Sequence, residues 1–169
     1  MKQILLIASI TFSLLSCSKD KKQDVAPGDN TARLTVGAKT YEFTEMSNAS
    51  ENYFEESTGK FRCRLNGADG VSFISIRIDY LYDPIPPIPI YATTGGPSAG
   101  DGRGAVEFTD EAGVLYKLKD VEETPWFKGT LTAIEGNTWT GNFTGYVHNP
   151  AGARFDMSNG QFKVTVARK

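Results

Sequence analysis

The chain has a single histidine, which limits the catalytic sites that this sequence can build. His148 would have to be the base of any Ser-His-Asp or Cys-His arrangement. It lies on the even-numbered side of a predicted strand, with Ile134 and Tyr146, and HNPAG, which begins with it, is typical of a turn. We therefore predict a surface histidine at a strand end rather than a catalytic base.

The thiol chemistry of the chain is equally restricted, because only two cysteines are present. Cys63 alternates with the apolar Phe61 and Leu65, so we expect its side chain to face inward. A buried thiol without a basic partner is a packing group rather than a nucleophile. One histidine and two cysteines are also too few for a His- or Cys-rich metal site.

Carboxylates are the remaining groups that could support catalysis or bind a cation. A glycosidase needs two acids about 5–9.5 Å apart, and Asp79 and Glu107 are candidates on outward faces of predicted strands. Calcium could use acids near Asp83, Asp101 and Asp110, although none has EF-hand spacing. We interpret all of these acids as solvated, and predict no enzyme, no cofactor and no metal.

The glycine-rich stretch GGPSAGDGRGAV, residues 95–106, resembles a nucleotide loop only in part. Gly100 and Gly102 have the right spacing, but Ala105 stands where a third glycine belongs and no helix pattern follows. We predict a loop between two strands.

The N-terminus contains the other cysteine in a processing-site pattern. Lys2 precedes an apolar run from Ile4 to Leu15, about a dozen residues, which is short of the roughly 20 needed to span a bilayer. Leu14-Leu15-Ser16-Cys17 resembles the bacterial lipobox, and this resemblance implies cleavage before Cys17 and acylation of its thiol and new amino group. An ordinary signal peptide with an incidental cysteine, or a disulfide to Cys63, are the alternatives.

This pattern divides the chain into three parts: a lipoprotein signal peptide at 1–16, a lipidated tether at 17–30 and one domain at 31–169. The tether sequence SKDKKQDVAPGDN is charged and lacks aromatic residues, which is typical of a flexible, disordered segment. The net charge of −2 and the absence of a basic cluster outside the tether argue against a nucleic-acid partner.

Alternation of apolar and polar residues is the main structural signal in the domain. In residues 73–82, for example, Ile74, Ile76, Ile78, Tyr80 and Tyr82 would share one face. Only Met46 to Ser57 could form a short helix, with a loop as the alternative. The pattern predicts an all-β domain of about nine strands, either an antiparallel sandwich or an up-and-down, lipocalin-like barrel.

One hairpin can be registered from its sequence, with strands on either side of Glu135-Gly136-Asn137. A two-residue loop would pair Glu135 with Thr138, and a three-residue loop would pair Ile134 with Thr138. We favour the three-residue loop, which places Leu131 opposite Gly141 and Gly129 opposite Phe143. It also collects five apolar residues on one face: Phe127, Leu131, Trp139, Phe143 and Val147.

The segment DPIPPIPIY, residues 83–91, is the most unusual in the chain. Its four prolines cannot donate to a sheet ladder, so we predict an extended polyproline II segment outside any central strand. It is either a crossover that protects a sheet edge or an exposed ligand-binding strip. The candidate ligand contacts are Tyr91, Ile88, Ile90 and Trp126, the last of which could stack on a sugar ring.

Three stretches, ARLTVGAKTYEF, KGTLTAIEGNTWTGNFTGYV and MSNGQFKVTV, resemble small uncharacterised Bacteroidota lipoproteins. The resemblance implies an all-β protein anchored in the outer membrane and carries over no functional residues. Ser18 after the cysteine resembles an outer-membrane address, and the charges at 19–22 resemble surface-export signals; the periplasmic face is the alternative. We expect an envelope binding module for a glycan, peptide or small apolar ligand, or alternatively a structural or interaction lipoprotein without a small-molecule site.

Overall fold

The computed structural model describes residues 28–91, 102–118 and 127–169, and every regular element in these ranges is a β-strand. The prediction of an all-β fold is therefore confirmed. The described residues form thirteen strands rather than about nine. They are β1 (Thr31–Val36), β2 (Lys39–Phe43), β3 (Glu45–Met46), β4 (Tyr53–Glu55), β5 (Lys60–Asn66), β6 (Phe73–Asp79), β7 (Ile88–Tyr91), β8 (Gly102–Thr109), β9 (Leu115–Lys117), β10 (Phe127–Glu135), β11 (Thr138–His148), β12 (Arg154–Thr165) and β13 (Ala167–Arg168).

Short strands account for the difference in number. β2 and β3 are one extended run interrupted at Thr44, and β12 and β13 are another interrupted at Val166. The stretch proposed as a helix or a loop instead contributes the end of β3 and all of β4, with a turn between them. Asn52 closes that turn, since its side-chain nitrogen donates to the carbonyl oxygens of Ser47 and Asn48.

The two interrupted runs also close the sheet into a small barrel with additional strands. The hydrogen-bonded order is β4-β5-β6-β8-β7-β10-β11-β12-β1-β2. β3 continues β2 and pairs antiparallel with β5, while β13 continues β12 and pairs in parallel with β4. Each run thus bends from one neighbour to the next, so that the two ends of the sheet meet.

Not all neighbours are antiparallel, as a simple up-and-down barrel would require. β7 runs parallel to β8 and antiparallel to β10, so the proline-rich segment ends inside the sheet. The prediction that prolines exclude a central strand was wrong here. Pro89 is opposite Thr130 of β10, whereas pairing with β8 begins only at Ile90, so Pro89 meets a ladder partner on one side alone.

The barrel interior is filled by apolar side chains from all sides. The alternation predicted for β5 and β6 is confirmed, because their inward residues, Cys63 among them, are buried. No helix in the described ranges is long and apolar enough to cross a bilayer. The largest fully buried side chain is Trp139. The next largest fully buried side chains are Phe43, Phe61, Phe108, Phe162, Leu34, Leu65, Ile74, Ile76, Ile78, Leu81 and Ile90.

The β10–β11 hairpin combines both registers that the sequence allowed. Glu135 pairs with Thr138, which makes the turn two residues long and the favoured three-residue loop wrong. A bulge between Leu131 and Ala133 then shifts the register by one, so that Leu131 lies opposite Gly141 as predicted. The five residues predicted to share a face are all buried. Gly136 in the turn has a φ of +60°, in the left-handed region.

Candidate functional site

Two tyrosines at the end of β6 point away from the face that the sequence predicted. Tyr80 has a φ of +67°, a left-handed conformation that is unusual for an aromatic residue and breaks the strand alternation. As a result Leu81 turns inward and is buried, while Tyr80 and Tyr82 are 45% and 62% exposed. Their expected placement beside Ile78 in the core was wrong, and both rings are available at the surface.

A row of side chains crosses the outside of five neighbouring strands next to Tyr80. Asp79 of β6 lies opposite Arg103 of β8, which is level with Tyr91 of β7. Tyr91 in turn lies opposite Lys128 of β10, and Lys128 opposite Thr144 of β11. We call this set the Tyr91 row: Asp79, Arg103, Tyr91, Lys128 and Thr144. With strands about 4.8 Å apart, the row is about 20 Å long.

Cations alternate with aromatic rings along the Tyr91 row once its neighbour Tyr80 is included. The Arg103 guanidinium lies 5.1 Å from the centre of the Tyr80 ring, and Arg103 and Lys128 flank Tyr91 in the ladder. Such an arrangement offers both ring faces and charged hydrogen-bond donors to a ligand lying across the strands.

The surroundings of the row carry a local positive charge on a chain that is acidic overall. The one acid of the row, Asp79, accepts a hydrogen bond from Arg62 at 2.6 Å, and the guanidinium offsets its negative charge. Arg62 also lies opposite Arg77 in the β5–β6 ladder, and like charges directly opposite each other repel. Arg77 and Lys128 have no ion-pair partner among the residues that the structure describes. An anionic group would therefore be attracted to this face.

A shallow cleft of about 380 Å³ adjoins Tyr91 and Lys128 on the same face. It is lined with hydrogen-bonding side chains two residues further along the strands, where Thr130 lies opposite both Pro89 and Asn142. These polar groups extend the row into a surface two residues wide.

The four predicted ligand contacts have separate locations. Tyr91 lies on the exposed face, but Ile88 and Ile90 are buried in the barrel, so an exposed strip made of all three does not form. Their burial follows from the alternation of β7, which directs Pro89 and Tyr91 outward and the two isoleucines inward. Trp126 and the lipidation candidate Cys17 lie outside the described residues.

The end of the glycine-rich stretch has a packing role. Gly102 and Gly104 begin β8 rather than lying in a loop, and both are buried. A Cβ atom on Gly104 would come within 2.4 Å of the Ile90 side chain and 2.7 Å of the Phe127 ring. This glycine therefore makes room for core residues of β7 and β10; residues 95–101 lie outside the described ranges.

The candidate catalytic groups are held in structural contacts. Burial raises the pKa of the Cys63 thiol to about 12, far above that of a reactive cysteine. His148 ends β11 as predicted, with its ring edge-on to Tyr146, and it lines a second cleft with Leu115 and Leu118.

Two of the acidic candidates, Asp79 and Asp110, also have partners. Asp110 accepts hydrogen bonds from the backbone of Ala112 and Val114 and from the hydroxyl of Tyr116. Burial, followed by the charge of Asp110, raises the pKa of Tyr116. Within residues 28–91, 102–118 and 127–169, no group of three or more His, Cys, Asp or Glu side chains is placed to hold a metal ion.

Sequence reasoning found Tyr91 but missed Tyr80, Arg103 and Lys128. Arg103 and Lys128 each occupy an outward position in a strand, and the alternation of apolar and polar residues could have indicated this. Their proximity to Tyr91 depends on the parallel β7–β8 pair, which no local pattern reveals.

No family model matches the chain, and no match was found among the curated proteins or the solved structures with which it was compared.

Proposed function

We propose that this protein is a lipid-anchored binding module of the cell envelope that holds a glycan along the Tyr91 row. The observation that carries the proposal is the alternation of Tyr80, Arg103, Tyr91 and Lys128 across the outside of the barrel. Tyrosine rings can stack on sugar rings, and Arg and Lys donate to hydroxyl and carboxylate oxygens.

The excess positive charge of the face favours a glycan with acidic groups. Arg77 and Lys128 can each reach an anion, whereas Asp79 is already paired with Arg62. Thr130, Asn142 and Thr144 would then contact neutral hydroxyls in the adjoining cleft. A small apolar ligand inside a lipocalin-like barrel is less well supported, since Trp139 and the phenylalanines around it fill the interior.

In this proposal the protein binds rather than catalyses. The buried Cys63 and the Asp79 carboxylate, which is paired with Arg62, have packing and electrostatic roles. Acylation of Cys17 would attach the domain to the outer membrane, where each acyl CH₂ adds about 0.8 kcal/mol of membrane affinity. Mass spectrometry of Cys17 from isolated envelopes tests the anchor, and an unmodified Cys17 would contradict it.

A glycan array probed with the full chain in detergent tests the ligand. We expect retention of acidic oligosaccharides, with weaker binding as salt is added because the attraction is partly electrostatic. An array on which no glycan is retained would favour the alternative, an interaction lipoprotein without a small-molecule site.

A further inference from the structure

The loop between β6 and β7, residues 80–87, exposes two large side chains at its tip. Tyr82 is 62% exposed and Ile85 is 77% exposed, the highest values among the large hydrophobic residues that the structure describes. Leu81 between β6 and this tip is buried, and its backbone nitrogen donates to the carbonyl oxygen of Gly59 at 2.9 Å. The start of the loop is thus anchored to the barrel at Leu81, while the apolar side chains of its tip face solvent.

This loop lies across the end of the barrel at which the β10–β11 turn is found. Asp83 and Pro84 line a cleft together with Ile134 and Arg168. The Arg168 guanidinium donates to the carbonyl oxygen of Gly136 in that turn, at 3.2 Å. The loop and the turn are therefore neighbours.

The N-terminal segment joins the barrel at the same end. Asn30 precedes β1, and its side-chain oxygen accepts a hydrogen bond from the Thr165 backbone at 2.9 Å. The Thr165 hydroxyl is 3.0 Å from that of Thr138, the residue that follows the β10–β11 turn. The chain that leads to Cys17 and the exposed tip at Tyr82 and Ile85 consequently share one end of the fold.

The short stretch of chain before Gly28 limits how far the domain can lie from an acylated Cys17. Ten residues separate Cys17 from Gly28, and the eleven steps along the backbone can span at most roughly 40 Å. An acylated Cys17 would hold the domain within that distance of the bilayer but would not orient it. A second, weak contact at the same end gains from the high effective concentration that such a connection provides.

We infer that the tip formed by Tyr82 and Ile85 contacts the lipid bilayer and orients the domain with this end toward the membrane. Tyrosine is enriched at the boundary between headgroups and acyl chains, where the ring is apolar and the hydroxyl is hydrated. Ile85 would enter the acyl region beside it. This inference rests on the lipid anchor of the proposed function.

Depth-dependent quenching tests the contact in the full, lipidated chain. An environment-sensitive fluorophore is attached to Ile85→Cys, and the protein is reconstituted into vesicles of phosphatidylethanolamine and phosphatidylglycerol, with or without brominated acyl chains. Cys63 is buried and does not compete for the label. The matched control is Val71→Cys, because Val71 is 51% exposed and precedes β6 at the opposite end of that strand.

We expect a blue shift and quenching by brominated lipid for the label at 85, and neither for the label at 71. Adding Tyr82→Glu should reduce the quenching at 85, since a carboxylate is costly to insert. Equal quenching at the two positions, or none at 85 in protein that floats with the vesicles, would overturn the inference. Protein that does not float with the vesicles would refute the lipid anchor, and the membrane contact with it, while leaving the glycan test unaffected.

Discussion

The ring of Trp139 on β11 lies 4.7 Å, centre to centre, from the ring of Phe54 on β4. These two strands are not paired with each other: β12 pairs with β11 and its continuation β13 pairs with β4, so one run of chain lies between them. Phe61 of β5 lies 5.1 Å from the same indole, and Phe162 lies 5.9 Å from Phe61. Trp139 is thus the centre of an aromatic cluster at the place where the two ends of the sheet meet.

Truncation of this side chain should be among the most destabilising substitutions in the domain. Trp139→Ala should lower the free energy of unfolding by about 3–5 kcal/mol, because it leaves a cavity between β4, β5 and β11. The indole nitrogen has no hydrogen-bond partner among the described residues, so Trp139→Phe loses volume but no polar contact and should cost less. Urea unfolding of the two variants measures both values. Equal costs for Phe and Ala would show that the ring retained in Phe contributes nothing to packing, which would contradict the prediction.

Removal of the Tyr91 ring should weaken glycan binding without affecting the fold. Tyr91 is an outward residue, and we expect Tyr91→Ala to reduce the affinity for a retained acidic oligosaccharide by about tenfold, as for an aromatic hot spot. Lys128→Gln should reduce it by a few-fold and make it less sensitive to salt. Isothermal titration calorimetry at two salt concentrations measures both effects.

Tyr53→Ala is the matched control for this pair of variants. Tyr53 also faces outward beside a cation, with the Lys169 ammonium 3.9 Å from its ring centre, but it lies on β4 away from the Tyr91 row. Its affinity should equal that of the parent chain. An equal loss in the Tyr53 and Tyr91 variants would place the ligand elsewhere.

Alternation predicted which residues of each strand are buried, because a pleated strand has only two faces. It failed where a single backbone conformation changed that alternation. The left-handed Tyr80 turned two tyrosines outward, and the bulge after Leu131 allowed Ile134 rather than Ala133 to pair with Trp139. A local pattern could indicate neither event, since both depend on how the neighbouring strands close the barrel.

The candidate site was harder to predict than the core for a related reason. Tyr91 was recognised because it ends the proline-rich segment 83–91. Its neighbours Arg103 and Lys128, however, come from β8 and β10. Only the insertion of β7 between those strands brings them together, and the prolines of that segment argued against such an insertion. Side chains on one strand can be predicted from sequence spacing, whereas a surface across several strands requires the strand order.

The Cys63 thiol should be nearly inert while the domain is folded. A pKa of about 12 leaves a thiolate fraction about a thousandfold smaller than the usual value near 9 would give. We expect no iodoacetamide label on the Cys63 peptide of native protein at pH 8, and complete labelling in denaturant, as read by mass spectrometry. Val71→Cys adds an exposed thiol that should label at once, as a control for the reagent. Rapid labelling of native Cys63 would show that the core opens readily or that this thiol is accessible.

Asp69, in the turn between β5 and β6, should make stability depend on acid pH. Its carboxylate accepts hydrogen bonds from the backbone of Ser72 at 2.7 Å and of Val71 at 2.8 Å, and from the Ser72 hydroxyl at 3.0 Å. These bonds, that of the Ser72 backbone foremost, lower the pKa of Asp69 below its usual 3.8. A lowered pKa in the folded state means that the charge stabilises the fold above pH 3.8, and that this contribution disappears as the pH falls through the folded value.

Asp69→Ala should therefore lower the melting temperature at pH 7, and the difference from the parent chain should shrink as the pH falls below 3.8. Asp69→Asn is the matched control, because it keeps one oxygen acceptor but carries no charge, so it separates the charge from the hydrogen bonds. Thermal unfolding followed by circular dichroism between pH 7 and pH 2 measures all three chains. A difference between Asp69→Ala and the parent that is constant over this range would show that the ionised carboxylate does not stabilise the turn.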